Sequence, residues 1–151
     1  MLIPAKVDYG IRALLALAGA EGAPCKVEHL STTQGIPLQY LAVIMAELAR
    51  GGIVRGQRGP DGGYRLARGA ERITLAEVIH ILDGRLVEVQ GRRPEDAHYV
   101  GTSEHLQEVW VAARTSLRLV FESVTLADVV TGKFPDNVQA LTKSPEDWLA
   151  H

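Results

Sequence analysis

Cysteine is nearly absent from this chain, because only Cys25 among its 151 residues is a cysteine. A single thiol excludes a disulfide framework within the chain and any metal site built from cysteines alone. No run of 18 consecutive apolar residues occurs, and Asp8 and Arg12 interrupt the apolar N-terminal stretch. The sequence therefore predicts neither a transmembrane helix nor a signal peptide. We expect a cytoplasmic protein with no membrane partner.

Residue combinations typical of enzymes are also missing. The sequence shows no Ser/His/Asp or Cys/His arrangement and no phosphate-binding loop. We therefore expect no enzyme, no cofactor and no bound metal. The hydrophobic fraction of 46% is enough to form the core of one domain, and the length leaves room for a small appendage.

Acidic and basic residues nearly balance overall but are unevenly distributed. The net charge is −2. Residues 1–72 hold nine Lys/Arg and six Asp/Glu, whereas residues 73–151 hold seven Lys/Arg and twelve Asp/Glu. A basic half joined to an acidic half is typical of a DNA-binding protein with a separate second part. The basic excess is modest, so DNA affinity should depend on dimerisation.

The most informative stretch runs from residue 36 to residue 66, and its first part predicts an amphipathic helix. Apolar residues recur there at i, i+3, i+4 and i+7, which indicates one buried face. The residues of this face are Leu41, Ile44, Met45 and Leu48. Pro37 suits the first helical turn, where its missing N–H has no cost, and Gly51-Gly52 predicts the end of the helix. The opposite face carries Gln39, Val43, Ala46, Glu47 and Arg50.

A short β-hairpin follows that helix in the sequence pattern. Residues 53–55 and 63–66 predict two strands, and Gly59-Pro60-Asp61-Gly62 supplies the turn. The arginines around the turn are Arg55, Arg58, Arg65 and Arg68. A glycine-rich tip flanked by arginines can approach a phosphate backbone or enter a minor groove. An ordinary hairpin with solvated arginines is the alternative, but the amphipathic helix directly before it favours a recognition helix and wing.

The residues before this stretch predict its support. A first helix is expected over roughly residues 5–20, a short second helix over residues 26–33, and a turn at Gln34-Gly35-Ile36. This is the helix-turn-helix layout, although many helical hairpins share the spacing. The fold class that we predict is mostly α with a small β-wing. It comprises a winged helix-turn-helix domain followed by a long C-terminal dimerisation helix.

A long helix in the second half predicts self-association. Its apolar residues follow a heptad-type spacing. The seam consists of Leu106, Trp110, Ala113, Leu117, Val120 and Val124. Because Val109, Val111 and Leu119 make a second side apolar, the helix needs covering on two sides. We predict a homodimer built on residues 104–122; a helix fully buried in a monomer is the alternative.

These patterns divide the chain into four parts. Residues 1–84 are predicted to form the DNA-binding domain, 85–103 a regulatory loop, 104–132 the dimerisation helices and 133–151 a polar C-terminal tail. Capping boxes open short helices at Thr74-Leu75-Ala76-Glu77 and at Thr125-Leu126-Ala127-Asp128. Ser144-Pro145-Glu146-Asp147 predicts a last helical turn in the tail.

Five motifs together resemble the Rrf2 family of bacterial winged-helix transcriptional regulators. They are DYGIRALLALA, IPLQYLAVIMAELARGGIV, RGPDGGYRLAR, ITLAEVIHILDG and VTLADVV, in this order from Asp8 to about Gly132. The most specific block is the wing, from Arg58 to Ala67. The resemblance implies a dimeric regulator that binds a partly palindromic operator in double-stranded DNA. It also implies that Gln39 and Tyr40 begin the recognition helix and that Arg58 lies at the minor groove.

One departure from the family concerns its iron–sulfur cluster. Many members hold a cluster through three cysteines in the loop before the dimer helix, but residues 86–107 contain no cysteine here. Glu104 stands where the last cysteine aligns, and Gln107 where some members offer a histidine. Because these groups cannot replace cluster thiolates without changing the chemistry, the chain resembles members that lack the cluster. Another small-molecule or protein effector is then expected to act near residues 86–104.

Candidate DNA contacts follow from the helix, the wing and the resemblance. Gln39 can read an adenine edge, and Val43 can contact a thymine methyl group. Arg50, Arg55 and Arg65 are candidates for phosphate contacts, and Arg58 for the minor groove. The full candidate set is Lys26, Pro37, Leu38, Gln39, Tyr40, Val43, Arg50, Arg55, Arg58, Gly59, Gly62, Gly63, Tyr64 and Arg65.

Three other interpretations remain open at this stage. A winged helix can serve as a protein-interaction module. Cys25 could be a redox-sensing thiol, although only Lys26 nearby in sequence would lower its pKa. Hard-metal or zinc ligands could come from a loop set that matches no strong signature. Its members are Asp96, His98, Glu104 and His105.

Overall fold

Across residues 3–84 and 86–149, which the computed structural model describes, the chain forms seven α-helices and one two-stranded antiparallel sheet. The helices are α1 (Ala5–Gly19), α2 (Val27–Gln34), α3 (Leu38–Arg50), α4 (Leu75–Leu82), α5 (Leu106–Ser123), α6 (Leu126–Thr131) and α7 (Asp136–Thr142). The strands are β1 (Val54–Gln57) and β2 (Gly63–Leu66). The predicted mostly α-helical fold with a small hairpin is confirmed.

The core forms where α1, α3 and α4 pack against one another. All four residues of the predicted α3 face are fully buried, and Val7, Leu14 and Leu17 of α1 are buried with them. Burial of these aliphatic side chains is the main favourable contribution to folding. On the opposite face of α3, Gln39, Val43 and Arg50 are exposed, whereas Glu47 is partly buried and pairs with Lys6 of α1 at 2.7 Å.

The turn between α2 and α3 depends on one glycine and one core anchor. Gly35 ends α2 with φ at 64°, a left-handed conformation that favours glycine. Ile36 is then buried. Pro37 is the N-cap residue of α3 rather than part of its first turn, and its carbonyl accepts the Leu41 N–H at 2.9 Å.

The hairpin has a third backbone partner. Arg55 pairs with Arg65, and Gly56 pairs with Tyr64, in the β1–β2 register. Cys25 also pairs with Tyr64 on the outer side of β2, with N–O distances of 2.8 and 2.7 Å. The segment just before α2 therefore fastens the hairpin to the helix-turn-helix.

Residues 124–131 return to pack on the N-terminal part of the chain. The Leu75 N–H donates to Val124 O at 2.9 Å, and the Leu126 N–H donates to Ile73 O at 3.0 Å. Leu126 is fully buried, and α6 packs against α1. The predicted unit of residues 104–132 is therefore not one unit. Residues 124–131 pack on the N-terminal part of the chain, and only α5 lies outside it. Val124 is 3% exposed, so it belongs to the core and does not continue the predicted dimer seam.

Helix α5 packs on one side only. One side contacts α4 and the 3-10 turn at Pro94–Asp96. None of its 18 residues is buried, which contradicts the alternative of a helix fully buried in a monomer. Both capping boxes are formed, at Thr74 and at Thr125.

The loop and the tail have more structure than the sequence predicted. The loop contains 3-10 turns at Pro94–Asp96 and Gly101–Ser103, and the tail contains α7. The last turn predicted at Ser144 is confirmed as a capped 3-10 turn, Pro145–Trp148. Among the described residues, no helix is both long and apolar enough to cross a membrane.

Candidate nucleic-acid interface

The first turns of α3 present an exposed face. Leu38, Tyr40 and Val43 are 41%, 39% and 53% exposed, and Pro37 and Gln39 are exposed beside them. The Gln39 amide has no hydrogen-bond partner within the part of the chain that the structure describes, so both its donor and its acceptor can be used by a ligand. Exposed apolar side chains next to a free amide match the donor, acceptor and methyl pattern of a major groove.

Helix α1 holds the start of α3 in place. The rings of Tyr9 and Tyr40 meet edge to face, with centroids 5.8 Å apart. The Arg12 guanidinium lies 5.7 Å from the Tyr9 centroid, and its Nη2 donates to the Gln34 carbonyl at the end of α2. Tyr9 and Arg12 were not among the sequence-predicted site residues. The signal in the sequence that could have found them is their i, i+3 spacing, which places both on one face of α1, toward the turn before α3.

Five candidate cations at the start of α2, at the end of α3 and on the hairpin have no acidic partners among the described residues. They are Lys26, Arg50, Arg55, Arg58 and Arg65. All are exposed, and none forms an ion pair within residues 3–84 and 86–149. By contrast, Arg68 pairs with Glu77 and donates to the Arg72 carbonyl at 3.0 Å, so it supports the fold. Unpaired surface arginines are suited to phosphate binding because their donors are unoccupied.

A cleft of about 360 Å³ lies between the start of α2 and the hairpin. It brings Lys26 together with Arg58, Gly59 and Tyr64, as the candidate set predicted, and includes the acidic Glu28. Tyr64 is partly buried, and its backbone carries the Cys25 pairing. It is therefore better placed to support the hairpin than to contact a ligand.

The glycines of the hairpin are required by close backbone contacts. A Cβ on Gly62 would lie 2.2 Å from the Gln57 carbonyl oxygen. A Cβ on Gly63 would lie 2.5 Å from the carbonyl carbon and oxygen of Cys25. These distances are far shorter than van der Waals contact, so only glycine fits. Gly59, with φ at 106°, reverses the chain at the tip.

Helix α5 carries an exposed strip of uncharged residues. Its members, Val109, Ala112, Ser116 and Leu119, are all exposed; Val109 and Leu119 are each 56% exposed. The Ser116 hydroxyl donates to the Ala112 carbonyl at 3.0 Å, which leaves little polarity on this strip. The predicted seam lies beside it: Ala113 and Leu106 are exposed, whereas Trp110, Leu117 and Val120 are partly buried.

The predicted regulatory loop is fastened to α5 by polar contacts. Arg114 forms an ion pair with Glu95, and Gln107 Nε2 donates to the Glu95 carbonyl at 2.8 Å. Asp96, hydrogen-bonded to Arg93 at 2.9 Å, raises the pKa of Arg93. The pKa of Glu95 is lowered, first by its own backbone N–H and also by Arg114. Trp110 Nε1 donates to the Tyr99 hydroxyl at 3.1 Å.

The four candidate metal ligands of this loop do not lie close together. Asp96 pairs with Arg93, and His105 Nδ1 lies 3.3 Å from Glu108 Oε1; His98 and Glu104 are exposed. In the described ranges, no three His, Cys, Asp or Glu side chains are close enough to share a metal ion. The Cys25 Sγ lies 3.9 Å from the Ala23 carbonyl oxygen.

The comparisons with known proteins agree with this geometry. The family model described as Rrf2, iron-dependent transcriptional regulator, matches residues 3–132. The chain belongs to the Rrf2 family. A Mycobacterium tuberculosis protein named as an HTH-type transcriptional regulator is 41% identical over 142 residues, which cover 93% of this chain and 88% of that protein.

Two solved structures of bacterial proteins are similar to this chain. CymR, the global cysteine regulator of B. subtilis, has 26% identity and a TM-score of 0.73, covering 88% of this chain and 98% of CymR. IscR from T. potens has 27% identity and a TM-score of 0.68, covering 100% of this chain and 93% of IscR. The predicted winged-helix fold is therefore confirmed, and the protein is a DNA-binding transcriptional regulator of this family.

Proposed function

We propose that this Rrf2 protein is a homodimeric repressor that reads a partly palindromic operator through α3 and the hairpin. The observations that support it most are the exposed first turns of α3 and the five exposed cations of the α2 start, α3 and the hairpin, which have no acidic partners among the described residues. Two such units related by a two-fold axis would enter successive major grooves about one helical turn apart. Occupancy of a promoter by the dimer would then exclude other proteins.

The candidate residues divide into reading and positioning roles. Gln39 forms paired hydrogen bonds with an adenine edge, and Val43 contacts a thymine methyl group. Arg50, Arg55 and Arg65 bind phosphates, which contributes affinity without sequence information. Arg58 enters the minor groove from the tip of the wing. Leu38, Tyr40 and Lys26 contribute at the edges of the same surface.

The exposed α5 strip supports the dimer. Val109 and Leu119 are apolar and more than half exposed, and such contiguous apolar surface is characteristic of an interface. A second copy of α5 would bury these uncharged side chains against each other. The partly buried side of the predicted seam packs on the chain itself, so the interface centres on the strip rather than on the whole seam.

We also propose that this regulator works without an iron–sulfur cluster. Gln107 already donates to the backbone of the turn at Pro94–Asp96, and Glu95 pairs with Arg114. These contacts hold the loop through ordinary polar groups. Protein purified without oxygen should contain no stoichiometric iron or acid-labile sulfide; one cluster per chain would contradict this part of the proposal.

The experiment that tests sequence reading is selection from a random pool of DNA duplexes with purified protein. Wild type should enrich a motif with two-fold symmetry. Gln39→Ala should enrich a motif with reduced preference at one position in each half, because a paired base contact contributes about 1–3 kcal/mol of discrimination. A variant that loses affinity equally for all sequences would contradict the reading role of Gln39.

The rival function is docking of a partner protein on the same surface. Affinity for DNA through several phosphates falls by orders of magnitude between low and moderate salt, whereas apolar docking changes little. A protein that enriches no duplex from the pool, and whose binding to a partner protein is insensitive to salt, would favour the docking function.

A further inference from the structure

A cleft of about 530 Å³ lies at the joint between the DNA-binding domain and α5. One wall is α4, with His80 and Glu77. The other is α5, with Arg114, Arg118 and Glu122, and the loop residues Leu86 and Val87 contribute apolar surface. The volume falls in the range of about 300–1,000 Å³ that small-molecule sites occupy.

The cleft and the exposed α5 strip lie on different sides of the same helix. Arg114, Arg118 and Glu122 are four residues apart, so they form one row. The strip follows spacings of three and four from Val109 to Leu119. At 3.6 residues per turn, the two rows are separated by roughly 140° around the helix axis. A molecule in the cleft therefore contacts the joint without competing for the strip.

The polar groups of the cleft are not equally engaged. Glu95 already forms ion pairs with Arg114 and Arg93, and Glu77 forms one with Arg68. Arg118 Nε lies 3.6 Å from Glu122 Oε1, an i, i+4 ion pair in which both side chains are about half exposed. The terminal Nη groups of Arg118 have no partner in the described part of the chain. One guanidinium and one carboxylate are thus open to a ligand, side by side.

We propose that this cleft binds a small zwitterion of the α-amino-acid type and that its binding changes the angle between α4 and α5. The ligand carboxylate accepts two hydrogen bonds from Arg118, whose planar fork matches it. The ligand ammonium group donates to Glu122, and an apolar side chain contacts Leu86 and Val87. A simple anion would be repelled by Glu122, and a simple cation by Arg118, so a molecule carrying both charges fits best.

The regulatory part of this inference rests on the proposed function. In the proposed dimer, the angle between α4 and α5 determines the distance and orientation between the two α3 helices. A ligand that binds one angle better shifts the population toward it. The ligand must then change operator affinity, and the operator must change ligand affinity by the same factor.

The test measures ligand binding first, without DNA. Each of the twenty standard α-amino acids is titrated against the full-length protein by thermal unfolding and calorimetry. At least one should raise Tm saturably, because a ligand that binds only the folded state stabilises it. Arg118→Gln should weaken its binding about tenfold or more, since a charge-assisted hydrogen-bond pair is lost. Arg72→Gln, an exposed arginine with one weak ion pair outside the cleft, should bind normally.

Blocked ligands and simple anions distinguish the chemistry. The N-acetyl and methyl ester forms of the best amino acid should bind weakly. Equal binding of the N-acetyl form, succinate or inorganic phosphate would overturn the zwitterion in favour of a simple anion site. The site itself would be overturned if no amino acid raised Tm saturably. It would also be overturned if Arg118→Gln and Arg72→Gln weakened ligand binding equally.

The second arm measures DNA affinity with and without the best ligand, on a duplex selected by the protein. An unchanged affinity would overturn the regulatory role while leaving the site. A protein that binds the ligand but selects no DNA would contradict the proposed function instead.

Discussion

The hairpin shows how single residues determine the candidate site. Gly63 has φ at 143° and lies against the backbone of Cys25. A Cβ on Gly56 of the neighbouring strand would meet only a ring carbon of Tyr64, at 3.8 Å. The two glycines therefore differ in what a methyl group would contact. Contact with the backbone before α2 therefore explains Gly63, whereas contact with the Gln57 carbonyl within the hairpin explains Gly62.

Gly63→Ala should destabilise the folded protein by about 1–3 kcal/mol, because its backbone conformation is strained for alanine and the backbone of Cys25 cannot move away cheaply. Urea unfolding monitored by circular dichroism measures the change. Gly56→Ala is the matched control and should change the free energy of unfolding far less. Equal effects of the two substitutions would contradict the close-contact explanation.

Arg65 provides a test of the phosphate contacts. Its guanidinium is exposed and has no acidic partner among the described residues. Arg65→Ala should weaken binding to all sequences similarly and reduce the slope of log affinity against log salt by about one unit. Fluorescence anisotropy at several salt concentrations measures it. An unchanged slope would remove Arg65 from the phosphate-binding set.

At the scale of elements, α1 acts as the support of the helix-turn-helix. Arg12 joins the end of α2 to α1 through the Gln34 carbonyl, while Tyr9 packs against Tyr40 at the start of α3. The orientation of α3 therefore depends on residues that do not belong to the exposed face. A sequence pattern of apolar periodicity does not reveal such polar contacts between helices.

Arg12→Met should reduce the free energy of unfolding by about 1–2 kcal/mol, because it removes the hydrogen bond to the Gln34 carbonyl, the ion pair with Asp8 and the cation–π contact with Tyr9. Methionine keeps most of the length of the side chain and removes its donors. Chemical denaturation measures the difference, with Arg72→Met as the control at a more exposed arginine. A loss no larger than that of the control would contradict the supporting role of Arg12.

Local signals in the sequence predicted most of the elements. The α3 face, both capping boxes and the hairpin turn were found because each depends on residues close together in the chain. The return of Val124 and Leu126 to the core was missed because it depends on backbone bonds to Ile73 and Leu75, about fifty residues earlier. Helix α7 was missed because its composition is polar and it buries no residue.

At the scale of the whole molecule, the exposed α5 strip is the surface expected to join two chains. Heptad spacing predicted that α5 meets a partner, but spacing could not show which side packs on α4. The most exposed apolar residues of the helix, Val109 and Leu119, lie beside the predicted seam. In the proposed dimer, the spacing of the two recognition helices would therefore depend on this strip.

Leu119→Lys should shift the protein from dimer to monomer, because it introduces a charge into an apolar interface. Sedimentation velocity over a range of concentrations measures the change. Val130→Lys is the matched control, since Val130 is 51% exposed on α6, outside the strip. A dimer that persists in Leu119→Lys, or dissociates only in Val130→Lys, would contradict the assigned interface.

The central claim is that this protein occupies specific DNA sites as a regulator. The most direct measurement is its genome-wide occupancy in its own living cells, by crosslinking and sequencing of the bound DNA. The cell supplies whatever ligand is needed. A small number of sharp sites that share a two-fold motif is the predicted result. No enriched sites under several growth conditions would contradict the claim.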